Sequence, residues 1–198
     1  MAGDLVGGDA AMIELDNLVA GYEGLAITPS LSGTIPKGSM TAIVGLNGCG
    51  KSTLLKTLAG FIPPVSGVVR WMPSRPVIGW LAQRHALEAQ FPLTVQDVVS
   101  MGCWPGISLF SGFRRDTRLR ITEALERVGL ESMALSTIDE LSGGQFQRML
   151  FARVLVQQAP LVMLDEPFTG VDEVTCNVLM ALRSEERRVG KECLRLCR

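Results

Sequence analysis

The chain has 198 residues, with 19 Lys and Arg against 20 Asp and Glu and a formal charge of -1. That length supports one sizeable core, or one domain with an inserted subdomain. The balanced charge excludes a whole-chain field that would draw the protein to nucleic acid or to an acidic membrane surface, so no nucleic-acid partner is expected.

The hydrophobic share of 47% and the mean hydropathy of +0.27 are high, yet no apolar run approaches the roughly 18 residues of a membrane-spanning helix, and any membrane role is expected to be peripheral. The first residues, MAGDLVGGDAAMIELD, are acidic and glycine-rich, with no basic segment ahead of an apolar one. They do not read as a signal peptide, so the cytoplasmic side is expected. Five cysteines (Cys49, Cys103, Cys176, Cys193, Cys197) are an odd number without the paired spacings of a zinc site, which fits a reduced compartment.

In chain order, the alternation in Met12 to Tyr22 and the following LAITPSLSGTIPKGS predict short antiparallel strands and turns, with Pro36-Lys37-Gly38 as a turn signal. MTAIVGL (Met40 to Leu46) is a continuous apolar run with β-branched residues, the pattern of a strand buried on both faces. A helix is expected after the glycine-rich stretch that follows it. Pro63 to Trp71 reads as a turn and a strand, and Pro76 to Gln83 as a second buried strand. The spacings of Val95, Val98, Val99 and of Ile121, Leu125, Val128 predict helices between Thr94 and Glu140, interrupted by the loop GCWPGISLFSGF. Ser142 is placed as the N-cap of a long helix, and APLVMLDEP returns to a buried strand.

The chemistry lies at the ends of these elements. Gly45-Leu46-Asn47-Gly48-Cys49-Gly50-Lys51-Ser52 matches G-x4-G-K-[ST] between a predicted strand and a predicted helix. Glycines let successive backbone N–H groups turn inward around a phosphate, and the helix presents its positive end. Lys51 is expected to reach the β- and γ-phosphates and Ser52 to ligate Mg²⁺. The strand Leu161 to Leu164 ends in Asp165 and Glu166, at the edge of the sheet where open α/β folds bind ligands. Asp165 fits a Mg²⁺ ligand there, and Glu166 a general base that orients the attacking water, or else a solvated acid at a helix start.

Leu141-Ser142-Gly143-Gly144-Gln145, followed by Gln147-Arg148, resembles the signature motif of the ABC ATPase family. The similarity runs from about Met12 to Leu182 and implies several further assignments. Ser142 and the Gly143-Gly144-Gln145 turn at a helix start read as a second anion site, and the resemblance implies that it caps the γ-phosphate of nucleotide held by the opposite copy. Thr53 and Cys49 belong to the phosphate loop with Gly45, Asn47, Gly48 and Gly50. Tyr22 matches the aromatic that stacks on adenine, although a lone aromatic at a strand end also fits plain core packing. Gln83 matches the glutamine that contacts Mg²⁺ or the attacking water, although by itself it is a polar residue at a strand end. Asp172, in Phe168-Thr169-Gly170-Val171-Asp172, matches the loop that pairs the two copies, or is a surface turn acid.

The resemblance implies an α/β fold with a P-loop NTPase (RecA-like) core, an N-terminal antiparallel β subdomain and an inserted α-helical subdomain. In residue numbers, the ATPase domain is 12–182, with the core in 12–84 and 141–182 and the helical insert in 85–140. It also implies ATP and Mg²⁺ as ligands, a second ATPase subunit (a homodimer), a membrane permease subunit and, indirectly, a periplasmic or extracellular substrate-binding protein. The stretch between Thr53 and Leu141 is too short for the long coiled coil of chromosome-maintenance relatives. DEPFTGVDEVT and FPLTVQDVVSMG are most similar to ATPases of zinc and manganese importers, with haem, siderophore and cobalamin importers sharing much of the pattern.

One stretch departs from the family. The single histidine, His85, follows Gln83, whereas the family's switch histidine lies some thirty residues beyond the aspartate strand, so weak turnover is expected even where ATP binds. The tail at 183–198, SEERRVGKECLRLCR after Arg183, is dense in charge and lacks the pattern of a buried strand. It is similar to a stretch that recurs at the ends of unrelated predicted chains, which suggests a truncated or foreign end after about Leu182. It also reads as a solvated helix, on which Cys193 and Cys197 at i, i+4 would be a candidate metal pair. The expectation is that the core strand carrying the switch is missing and an edge is left open.

Overall fold

The structure, a computed structural model, describes residues 11–81, 92–106, 115–165 and 192–197. In chain order the elements are β1 (Ala11–Val19), β2 (Gly21–Tyr22), β3 (Leu25–Ala26), β4 (Leu31–Pro36), β5 (Met40–Val44), α1 (Lys51–Leu58), β6 (Ser66–Trp71), β7 (Ile78–Leu81), α2 (Val95–Ser100), α3 (Arg115–Arg127), α4 (Gly143–Gln157), β8 (Leu161–Leu164) and β9 (Glu192–Cys197). They fall into two compact units. The first holds the described residues through Pro76 together with β9, and the second those from Val77 through Asp165.

In the first unit β1 is the centre of an antiparallel sheet ordered β4-β1-β6, as the alternation from Met12 predicts. β6 joins it from beyond α1, a long-range pairing. The registers slip between Leu15 and Leu18 against β4 and between Asp16 and Val19 against β6, and Asn17 sits there at φ 49°. An asparagine tolerates that left-handed conformation, and the extra residue moves the buried positions from odd to even. Ile13 before the bulge and Leu18 and Ala20 after it are therefore all fully buried.

β5 pairs in parallel with β9, from Met40 opposite Cys193 to Val44 opposite Cys197. Two expectations are corrected by this strand pair. The tail supplies a strand after all: Cys-Leu-Arg-Leu-Cys carries one charge in five residues, and the unpaired ladder of β5 gives its backbone partners. Cys193 and Cys197 are consequently about 13 Å apart along an extended chain rather than one helical turn apart, which removes the metal-pair reading. Nor is β5 buried on both faces. Thr41 and Ile43 are half-buried, while Ala42 is exposed and Val44 is 70% exposed, because among the described residues cover reaches only one side of the pleat.

The second unit is built around α4. Met149, Leu150, Phe151, Ala152, Val154, Leu155 and Val156 are all buried, the mark of a helix surrounded on every side. α2 and α3 pack on it through the residues whose spacing predicts them, Val95, Val98 and Val99, and Ile121 and Leu125, with Val128 buried just beyond α3. A capping box starts α2, where Thr94 Oγ1 accepts from the Asp97 N–H at 3.2 Å and Asp97 accepts from the Thr94 N–H at 3.0 Å. β7 and β8 run in parallel, Ile78 opposite Leu161 through Leu81 opposite Leu164. All four residues of β8 are buried, as its apolar run predicts.

The seat of α4 gives a stability prediction. A Cβ on Gly102 would lie 2.2 Å from the Arg153 carbonyl oxygen, a backbone atom that cannot swing aside. Gly102→Ala is expected to destabilise the chain by about 1–3 kcal/mol, the cost of overpacking a filled site. Urea unfolding measures it, and an unchanged midpoint would mean that α4 is not held so closely. Gln83, Glu166 and Asp172, with His85 and the tail before Glu192, lie outside the described residues.

Candidate functional site: a phosphate loop and a capped signature helix

The phosphate loop leaves β5 at Gly45 and enters α1 at Lys51. Gly48 and Gly50 have φ of 81° and 91°, conformations that side-chain-bearing residues rarely adopt. Gly50 is the N-cap of α1 and makes no side-chain cap, so the amides of the first turn are not claimed by a capping side chain and point toward the loop. Gly50 is also crowded. A Cβ there would meet Ile27 Cγ2 and Thr28 Cγ2, each at 2.8 Å.

Lys51 is only 7% exposed. Its ammonium donates to the carbonyl oxygens of Gly45 and Leu46, each at 2.9 Å, and so spans the loop from inside. Thr53 is buried and Ser52 half-buried in the same turn. α1 is fixed behind them by buried Leu54, Leu55 and Leu58 and by Thr57 Oγ1, which donates to the Thr53 carbonyl at 2.9 Å. Asn47 and Cys49 are exposed on the loop's outer side. Cys103, by contrast, is a core thiol in the second unit. Burial raises its pKa, and the nearby Arg120 charge opposes that shift.

The hairpin of β2 and β3 carries Tyr22 opposite Leu25, with Tyr22 43% exposed. It is therefore not a core residue. The hairpin's base is tied three times to Ala20. The Ala20 N–H donates to Thr28 Oγ1 at 2.9 Å, and the Ala20 carbonyl accepts from the Ile27 and Thr28 N–H groups at 2.9 and 3.1 Å. The sequence draws attention to Tyr22 alone here. Nothing in the pattern of Ile27-Thr28 announces their contact with Gly50.

In the second unit Ser142 is the N-cap of α4, as its place in the sequence predicts. Its Oγ accepts from the Gln145 N–H at 3.3 Å, and Gln145 Oε1 accepts from the Ser142 N–H at 2.8 Å. The Gln145 amide also donates to Met133 Sδ at 3.2 Å. Both ends of this side chain are thus engaged within the chain, and its part is to shape the turn rather than to reach outward. Ser142 is exposed, and Gly143 and Gly144 are half-buried. Arg148, one turn on, donates to the Val128 carbonyl at 3.1 Å and ties α4 to the end of α3.

Asp165 follows β8. Its N–H donates to the Leu81 carbonyl at 3.1 Å, which extends the parallel ladder by one residue, and the residue is only 3% exposed. The parallel strands, the left-handed glycines before a helix, the buried lysine and the buried acid at a strand end define a P-loop nucleotide-binding protein. Tyr22 and Gly45 to Thr53 lie in the first unit, and Ser142 to Gln145 and Asp165 in the second.

The pattern that defines the ABC transporter family matches residues 29–169, and the chain belongs to that family as one of its ATP-hydrolysing members. It is 37% identical over 187 residues to a manganese transport system ATP-binding protein of Bacillus subtilis, covering 92% of this chain and 75% of that one. It is 38% identical over 190 residues to a zinc transport system ATP-binding protein of Treponema pallidum, covering 93% and 71%. Among solved structures, a dimeric bacterial ABC transporter cassette superposes with a TM-score of 0.81 at 26% identity, covering 93% of this chain and 87% of that one. An ABC transporter in an inward-facing conformation superposes with a TM-score of 0.80 at 28% identity, covering 94% and 73%.

Proposed function

We propose that this chain energises the import of a metal ion, zinc or manganese, working as a homodimer in which ATP lies between the phosphate loop of one copy and Ser142 of the other. The observation that carries the nucleotide part is the Lys51 ammonium, buried against two neutral carbonyls. A buried cation is costly unless it is paired, and a triphosphate is the partner that the surrounding amides also select. Tyr22 stacks on the adenine. The loop from Gly45 to Thr53 holds the phosphates.

Ser52 and Asp165, with Gln83, offer the hard oxygen donors that Mg²⁺ takes together with phosphate. Held there, Mg²⁺ would supply neutralisation of the charge on the transferring phosphoryl oxygens. Glu166 orients the attacking water, and Asp172 pairs the two copies. Among the described residues no helix is long and apolar enough to cross a membrane, which suits a subunit that docks from the cytoplasmic face onto a separate permease, fed by a periplasmic or extracellular binding protein.

The cargo is taken from what the relatives are named for. Its test is uptake of manganese and of zinc by cells whose only copy carries Lys51→Ala, beside wild type. Uptake of one of the two metals is expected to fall to background. Normal uptake of both, with loss of haem or siderophore import, would reassign the cargo. A second reading, a chain that binds ATP and turns it over slowly, is favoured by His85 being the only histidine.

A further inference from the structure

We propose that Thr28 is a positioning residue that couples the base-binding hairpin to the phosphate loop, so that its side chain sets nucleotide affinity without touching the nucleotide. This rests on the reading of Tyr22 as the residue that stacks on adenine.

Thr28 is 6% exposed and works in two directions. Its Oγ1 accepts the Ala20 N–H at 2.9 Å, two residues before Tyr22, and with the two N–H groups that converge on the Ala20 carbonyl it closes the base of the hairpin. Its Cγ2 lies where a Cβ on Gly50 would come within 2.8 Å, so the methyl rests against the N-cap of the helix that follows the phosphate loop. One side chain therefore spans from the strand that aims Tyr22 to the residue that aims the loop amides. Two χ1-linked groups on one β-branched carbon cannot be moved independently. A shift of the hairpin is passed to Gly50 and back.

A ligand that spans both parts gains from this link, because base and phosphates are met by surfaces already in register. A ligand that meets only the loop does not. This asymmetry separates a positioning role from a structural one.

The test compares Mg-ATP with Mg-tripolyphosphate, which lacks the base, by titration calorimetry on the full chain. Thr28→Val keeps the shape and removes the hydroxyl. It is expected to weaken ATP binding about tenfold, the factor that one lost hydrogen bond corresponds to, and to leave tripolyphosphate within about twofold. Thr28→Ser keeps the hydroxyl but removes the methyl that rests on Gly50, and is likewise expected to weaken ATP binding and to leave tripolyphosphate within about twofold. In the Tyr22→Ala background, Thr28→Val is expected to add nothing.

Equal losses for both ligands would overturn the proposal, since the effect would then be on the loop or the fold alone. Wild-type ATP affinity in Thr28→Val beside a loss in Tyr22→Ala would overturn the role of Thr28 and leave the stacking reading intact. No loss in Tyr22→Ala would overturn the stacking reading and the proposal with it. If Thr28→Val does not fold, Thr28→Ser decides, because an ATP-specific loss there supports the link through the methyl, and wild-type ATP affinity there would overturn it.

Discussion

Replacing Lys51 with alanine is expected to weaken nucleotide binding by roughly a hundredfold or more in a chain that stays folded. The ammonium spans Gly45 and Leu46 at the start of the loop, and on the proposed reading a bound triphosphate would replace those neutral carbonyls with charged oxygens. Hydrogen bonds to charged groups contribute about 1.5–3 kcal/mol each, so losing this cation costs roughly a hundredfold or more in Mg-ATP affinity. The fold loses little. Leu46 is among the most exposed apolar residues, so water can reach its carbonyl, and α1 is anchored by its leucines on the other face. Calorimetric titration paired with urea unfolding reads both quantities. Wild-type affinity in a folded Lys51→Ala sample would leave the phosphate-loop assignment without support.

Glu166→Gln divides binding from chemistry. On the proposed reading Glu166 orients and polarises the attacking water, and a general base contributes about 10²–10⁴-fold. The amide keeps size and hydrogen bonding and loses basicity. Turnover is expected to fall by that range with ATP affinity retained, and a nucleotide-bound dimer should accumulate in size-exclusion chromatography. The same measurement separates the two readings of the chain. If wild type already turns over at the level of Glu166→Gln while binding ATP well, the slow-turnover reading holds.

Legibility in the sequence followed the range of the interaction. The phosphate loop and the start of α4 were readable because their causes are local: glycines at positive φ, and a serine with a glutamine three residues on that complete a capping box. β8 was readable because four consecutive apolar residues need cover on both sides. The sequence predicted the same for β5 and there it failed, since an apolar run states a demand for cover without saying whether neighbours meet it. The bulge at Asn17 was hidden because it depends on two partner strands, one of them beyond α1. The strand β9 was missed for a related reason. Its residues are indifferent strand formers, and the unpaired backbone of β5 supplies what they lack. Thr28 left no pattern at all, because its significance lies in a contact with Gly50 more than twenty positions away.

The all-round burial of α4 constrains how Ser142 can move. Buried on all faces between Met149 and Val156, the helix resists bending or sliding there, which would open a void, so the serine beyond its half-buried first turn is expected to move as the rod tilts. Fifteen residues make a lever about 22 Å long, and a tilt of about 5° at the Gln157 end swings the serine by about 2 Å, enough to make or break a hydrogen bond. A small rotation of this packed unit is thereby amplified into an on-or-off contact at its tip.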